Sequence, residues 1–390
     1  MALKHAASHG PIPPVPRTYP RVEPKVAPVL FGVLDQLDGQ YVKVRPERCV
    51  AVRNRNATCR ACAAACTSGA IVLDEKTGGL HVDASRCVGC GTCATACPTC
   101  AVESRSPTDR ELLERCRAAA DANGVVAVAC GHAVRTGTGG SAVAVGCLGR
   151  VDESLLVGLA AAGLRGVVLK SAACDACAMR PGRRVADAVI ATSRELLAAW
   201  GSDFFVELAE GPVGNEGAGC REWEVHDEPA RTRAVSHMPP LKAGADGTLP
   251  HFVPDRRERL LDALACLGTP DGEKTLVTRL WATVYIDPER CTSCRSCAVF
   301  CPTGALIKFD EPNGLFGIDH FSGECVRCSS CVDVCPHAAV SLCDEVASNV
   351  LLGGGVERHY MAARPRRVGS SYAILDSMRA IIKNVPVFER

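Results

Sequence analysis

One cysteine spacing constrains this chain more than any other feature. Cys-x2-Cys-x2-Cys-x3-Cys-Pro occurs intact three times: Cys87, Cys90, Cys93 and Cys97 before Pro98; Cys291, Cys294, Cys297 and Cys301 before Pro302; Cys325, Cys328, Cys331 and Cys335 before Pro336. A loop with this spacing wraps three thiolates around one iron–sulfur cube and sends the fourth to a neighbouring cluster. Zinc ribbons use Cys-x2-Cys pairs far apart, not triplets followed by Cys-Pro. The spacing therefore selects iron over zinc.

A fourth copy is damaged. Cys59, Cys62 and Cys66 supply its last three positions, but Asn56 stands where the first cysteine belongs and Thr67 replaces the proline. The lead-in repairs the gap. Val44-x-Pro46-Glu47-Arg48-Cys49 matches Ile286-x-Pro288-Glu289-Arg290-Cys291 almost residue for residue. Cys49 is thus the expected first ligand, set apart by a seven-residue insertion rich in Arg and Asn. The competing reading is a degenerate half-site with no cluster.

Each motif ends in a short strand-like tail: Ala70–Leu73, Ala101–Glu103, Ala305–Ile307 and Ala339–Ser341. This is an internal repeat of one small unit. Residues 40–105 and 282–343, about a third of the chain, resemble bacterial dicluster ferredoxins. The resemblance implies a pseudo-twofold α+β fold in which paired motifs exchange their fourth cysteine, and hence four [4Fe-4S] clusters. One cluster would take Cys49, Cys59, Cys62 and Cys97, and the next Cys87, Cys90, Cys93 and Cys66. In the second module the sets would be Cys291, Cys294, Cys297 and Cys335, then Cys325, Cys328, Cys331 and Cys301.

Between the modules the pattern changes. Pro107–Asn123 reads as a helix stopped by Gly124, and Asp152–Ala162 and Arg183–Trp200 as further helices. Short apolar runs at Val125–Cys130, Ser141–Cys147 and Gly166–Lys170 read as buried parallel strands. The expectation is a small α/β domain. Cys130 and Cys147 end two strands and Cys174-x2-Cys177 follows the third. Ligand sites in open parallel sheets lie beyond the carboxyl ends of strands, so these four thiols should converge on one edge. The run from Cys147 through Cys177 resembles the delta (iron–sulfur) subunit of methyl-viologen-reducing hydrogenase. That resemblance implies a fifth cluster, [2Fe-2S] or [4Fe-4S], at Cys130, Cys147, Cys174 and Cys177. The first ligand pair departs from the family, because Cys130 is followed by Gly131-His132. A cluster-free domain with buried thiols, or a zinc site, stays open.

Of 25 cysteines, five are left over, Cys100, Cys116, Cys220, Cys266 and Cys343, and packing is the default for each. A formal net charge of +1 argues against a general nucleic-acid partner. No apolar run reaches membrane-spanning length and the first residues form no signal core, so a cytoplasmic location is expected. No P-loop, dinucleotide fingerprint, catalytic triad or HExxH motif is present.

The expected architecture is α+β: a Pro-rich arm (1–39), a dicluster ferredoxin module (40–106), the α/β domain (107–205), a linker with a short helix (206–281), a second module (282–345) and a tail (346–390). The function read from it is an electron-transfer iron–sulfur subunit of a multi-subunit oxidoreductase. It would serve a catalytic partner such as a hydrogenase, a molybdopterin or tungstopterin enzyme, or a heterodisulfide-reductase-like enzyme, and exchange electrons with a donor or acceptor protein. The alternative is a redox enzyme in its own right, using the cysteine-rich α/β domain.

Overall fold

The computed structural model describes residues 41–54, 56–73, 79–211, 247–353 and 355–362. The Pro-rich arm, Cys220, and most of the 210–254 and C-terminal segments lie outside the described residues.

Both modules follow one plan. In the first, Val42–Val44 pairs antiparallel with Val102–Ser104, so the strand before the first cysteine closes on the strand after the last. The inner hairpin pairs Ile71–Leu73 with Leu80–Val82. In the second, Thr283–Ile286 pairs with Val340–Cys343 and Leu306–Asp310 with Phe316–Phe321. The tails read from the sequence are the starts of these strands. The second module is larger: Val356–Tyr360 adds to the edge of its inner pair, and Thr275–Val277 pairs with Glu345–Ala347.

The central domain has a four-stranded, fully parallel sheet in the spatial order Val143–Val145, Val125–Cys130, Gly166–Ala172, Phe205–Gly211. The last strand was not anticipated; its exposed Phe205, Glu207 and Glu210 break the buried-run signature. Helices Asp109–Ala118, Glu153–Ala161 and Pro181–Ala199 complete the domain. Thr108 caps the first of these by accepting from the Glu111 N–H, while the Glu111 carboxylate returns to the Thr108 N–H. Glu153–Ala161 is buried on nearly every side, because a further helix, Asp255–Leu267, covers it from outside.

That covering helix falls in the segment read as linker, yet it is core. Leu260, Leu261 and Leu264 pack with Val157, Leu196 and Trp200 of the α/β domain and with Leu276, Trp281 and Val346 beside the second module. A buried charge network anchors it further. Arg256 donates to the carbonyls of Ala94 (2.6 Å), Thr95 and Cys97 in the first module, and its Nε lies 3.5 Å from Asp152 and 3.8 Å from Asp109. Arg150 reaches the same two acids, at 2.6 Å from Asp109 and 3.6 Å from Asp152, and Arg259 also pairs with Asp109. Burial alone would raise the Asp109 pKa; Arg256, Arg150 and Arg259 outweigh it and hold the carboxyl well below its usual range.

Two stability predictions follow from these interiors. Arg256→Ala would leave Asp109 and the buried Asp152 with two of their three arginines, costing about 3–5 kcal/mol in denaturant unfolding. His320 is fully buried, and burial first, then His359, lowers its pKa to about 4 from 6.5, outweighing Glu357 at 3.7 Å. The unfolded chain therefore binds the extra proton between those two values, and stability falls as pH drops through that window by about 3 kcal/mol. His320→Leu should flatten this acid limb, read as the difference in unfolding midpoint from the parent at pH 7 and pH 5; an unchanged slope would refute the assignment.

Candidate metal centres

Four groups of thiols lie in the two modules. Burial raises Cys49 to about 12, and the nearby Cys97 and Cys59 add to it. Cys62 is raised by burial and then by Cys97, Cys49 and Cys59. These four therefore share one locality, which includes Cys49 on the far side of the insertion. The insertion folds as a single helical turn, Val50–Arg53, with Cys49 at its N-cap. It spends the extra residues locally and leaves Cys49 beside its fellows. Asn56 takes no place in this group: its N–H donates to Asn54 Oδ1.

The second group lines one cavity with Cys66, Cys87, Cys90 and Cys93. The third does so with Cys291, Cys294, Cys297 and Cys335, and the fourth with Cys301, Cys325, Cys328 and Cys331. In each, the last cysteine of one motif sits among the first three of the other. Backbone N–H groups point at the sulfurs, from Ala70 to Cys66 (3.2 Å), Ala101 to Cys97 (3.2 Å) and Ala339 to Cys335 (3.3 Å). Thr67, where a proline was expected, puts its hydroxyl 3.2 Å from the Cys90 sulfur. Four thiols around one cavity with N–H donors to sulfur is the donor set that a [4Fe-4S] cube takes. Burial pushes Cys49, Cys62, Cys93, Cys297, Cys328 and Cys331 up, so loading with iron must displace their protons.

Left-handed residues flank the second cysteine of each intact motif: Gly89 and Gly91, Ser293 and Arg295, Arg327 and Ser329. This backbone turns successive cysteines inward. Gly91 is required twice over, by its φ of +76° and because a Cβ there would lie 2.2 Å from Arg150 Cδ.

The central cysteines also converge. Cys130 closes its strand and accepts from the Ala133 N–H at 3.4 Å. Cys147 is raised to about 12, by burial first and with Cys90 and Cys130 among its neighbours. Cys174 is raised by burial, opposed by Arg183 and Ser171, with Cys130 nearby. Cys177 packs with Cys147 against Cys90 and Met179. All four lie at the carboxyl edge, where the chain reverses its progress across the sheet. Gly146 brings this edge against the first module, since a Cβ there would stand 3.1 Å from the Cys90 Cα. Among the described residues, no group of three or more His, Cys, Asp or Glu side chains is placed to hold a single metal ion.

The remaining thiols differ. Cys116 is buried in the core of the α/β domain, Cys266 and Cys343 are exposed, and Cys100 is buried beside Arg256 with a left-handed backbone.

Comparison with known proteins agrees with the geometry. Residues 273–340 match a 4Fe-4S dicluster domain family, and residues 57–101 match a second family described in the same words. The second match begins after Cys49, so the placement of that thiol rests on the fold. A stretch of 37 residues is 46% identical to the polyferredoxin-like subunit of an aliphatic sulfonate oxidoreductase from Pyrococcus furiosus. It covers 10% of this chain, which spans about a fifth (21%) of that relative. The chain thus carries two dicluster ferredoxin domains, which imply four [4Fe-4S] clusters. Among the described residues, no helix is long and apolar enough to cross a membrane.

Gly91→Ala should displace Arg150 and strain the second thiol group. The expected outcome is a loss of roughly 2 kcal/mol or more in unfolding free energy, together with reduced iron content; wild-type values for both would contradict the packing described.

Proposed function

We propose that the chain is an electron-relay subunit of a multi-subunit oxidoreductase, with four [4Fe-4S] clusters on the sixteen module cysteines and a fifth iron–sulfur cluster on Cys130, Cys147, Cys174 and Cys177. When bound, the clusters supply single-electron transfer. The chain's own residues supply thiolate ligation, N–H donors to sulfur, and exclusion of water.

The observation that carries this reading is the order of the thiol groups. Cys147 neighbours Cys90 of the second group. Cys93 of that group senses Cys62 of the first. Cys59 of the first is felt by Cys328 of the fourth, and Cys331 of the fourth senses Cys297 of the third. Five groups thus abut in a single file across three bodies of the fold. The modules meet where Thr58, next to Cys59, donates its N–H to Asp333 at 2.8 Å. A row of adjoining centres with no substrate constellation favours conduction over substrate turnover. Cys294, in the last group, is exposed, which makes that end the contact for one electron partner. The α/β end would meet the other, and the polyferredoxin-like relative is consistent with a place in an oxidoreductase complex.

The anaerobically purified chain is expected to bind about 18–20 iron atoms. Cys49→Ser should remove one cluster's iron, Cys100→Ser should remove none, and Cys147→Ser should lower only the iron in excess of sixteen. Stoichiometric zinc with little iron would reject the relay, and full iron retention in Cys49→Ser would reject its ligand set.

A further inference from the structure

The two inner thiol groups face one another across a cavity of about 250 Å³ bounded by both modules and the α/β domain. Cys59 and Cys97 line it from one side and Cys328 from the other, with Arg60, Arg256, Arg257, Arg279 and Arg327. Glu153 is the one carboxylate among these lining residues. Three of the arginines are matched: Arg279 by Glu153, with both contacts at 2.7 Å; Arg256 by Asp109 and Asp152; Arg327 by Asp344.

Arg257 is not matched in this way. It is 6% exposed, it donates to the Leu280 carbonyl, and its guanidinium lies 4.3 Å from the Trp281 ring centre. Its Nη1 has no hydrogen-bond partner. Arg53 is its counterpart on the first module. It is 3% exposed and donates to the carbonyls of Glu47 and Pro250; its Nε has no partner. The electrostatic neighbours of Arg257 are Cys325, Glu153 and Glu324. For Arg53 the neighbours are Cys301 and Cys328, ahead of Glu47. Burial lowers both guanidinium groups only to about 10, so both stay charged at neutral pH. Beside the outer groups the arginines are paired or exposed: Arg150 is buried against Gly91 but pairs with Asp109 and Asp152. Arg86 is exposed and bound to the Ser68 carbonyl, Arg290 is exposed, and Arg295 pairs with Asp310.

We infer that Arg53 and Arg257 are positioning residues that hold the cluster on Cys301, Cys325, Cys328 and Cys331 at a higher reduction potential than the two outer module clusters. The inference rests on the relay reading above. Each electron accepted adds one negative charge to the cluster, and a buried guanidinium hydrogen-bonded to backbone carbonyls rather than to a carboxylate stabilises that state in a medium of low dielectric constant. Electrons entering from either end would settle at the junction of the modules. The relay would then charge from one partner and discharge to the other without both being docked at once.

An EPR-monitored dithionite titration of the full chain tests this. In Arg257→Gln and Arg53→Gln, the highest-potential cluster component should shift to more negative potential, further in the double variant, and Arg257→Lys, which keeps the charge, should stay close to the parent. The components of the outer clusters should keep their midpoints, and Arg290→Gln should shift none at the junction. Unchanged midpoints, or a shift to more positive potential, in iron-replete variants would overturn the inference. If Arg257→Gln loses iron, Arg53→Gln carries the same test. A parent chain without iron and without EPR signals would instead overturn the relay reading.

Discussion

The buried charges around Arg256 hold the molecule's three bodies in register. A guanidinium shared among Asp109, Asp152 and the carbonyls of Ala94, Thr95 and Cys97 touches the first module and the α/β domain at once. The same helix presents Leu260, Leu261 and Leu264 to the core that reaches the second module. Each component would be costly alone, since an unpaired ion in an interior loses its hydration. Their mutual satisfaction ties the relative positions of the thiol groups to one another. Electron transfer between centres is acutely sensitive to separation, so a relay needs that rigidity more than it needs a large core.

The second constraint is the exchange of the fourth cysteine between paired motifs. Placing Cys97 with the first group and Cys66 with the second forces the two halves of a module to close face to face. The strand before the first motif must then pair with the strand after the last, as Val42–Val44 does with Val102–Ser104. The insertion after Cys49 fits this frame. It winds into one helical turn and sends Arg53 across the module boundary, where its guanidinium meets Pro250 and lies near Cys301 and Cys328.

Much of this was legible in the sequence. Cysteine spacing is a local property, because a loop of a few residues determines which thiols can converge. Comparing Arg48-Cys49 with Arg290-Cys291 located the displaced thiol. The buried strands were visible as apolar runs at Val125–Cys130 and Gly166–Lys170, the second of which extends to Ala172. The strand Phe205–Gly211 was not, because it lies at the sheet edge with residues exposed on one face. Asp255–Leu267 was visible as a helix, but its setting between bodies was not. Arg256 and Arg257 are buried, the first donating to the Ala94 carbonyl and the second to the Leu280 carbonyl.

The sequence by itself determined the chemistry: thiols in repeating, closely spaced sets, two dicluster ferredoxin modules, and a parallel-sheet domain whose cysteines fall at strand ends. Local spacing suffices for this, because the ligands of each set come from short loops of adjoining motifs. Only the tertiary structure decided the sequence of neighbours, with the α/β thiols beside Cys90, Cys62 beside Cys93, and Cys59 beside Cys328. It also decided which arginines pair with a carboxylate and which lie near sulfur with backbone carbonyls as their hydrogen-bond acceptors. Those outcomes depend on how separate bodies dock through long-range packing and ion pairing, which no short-range pattern records.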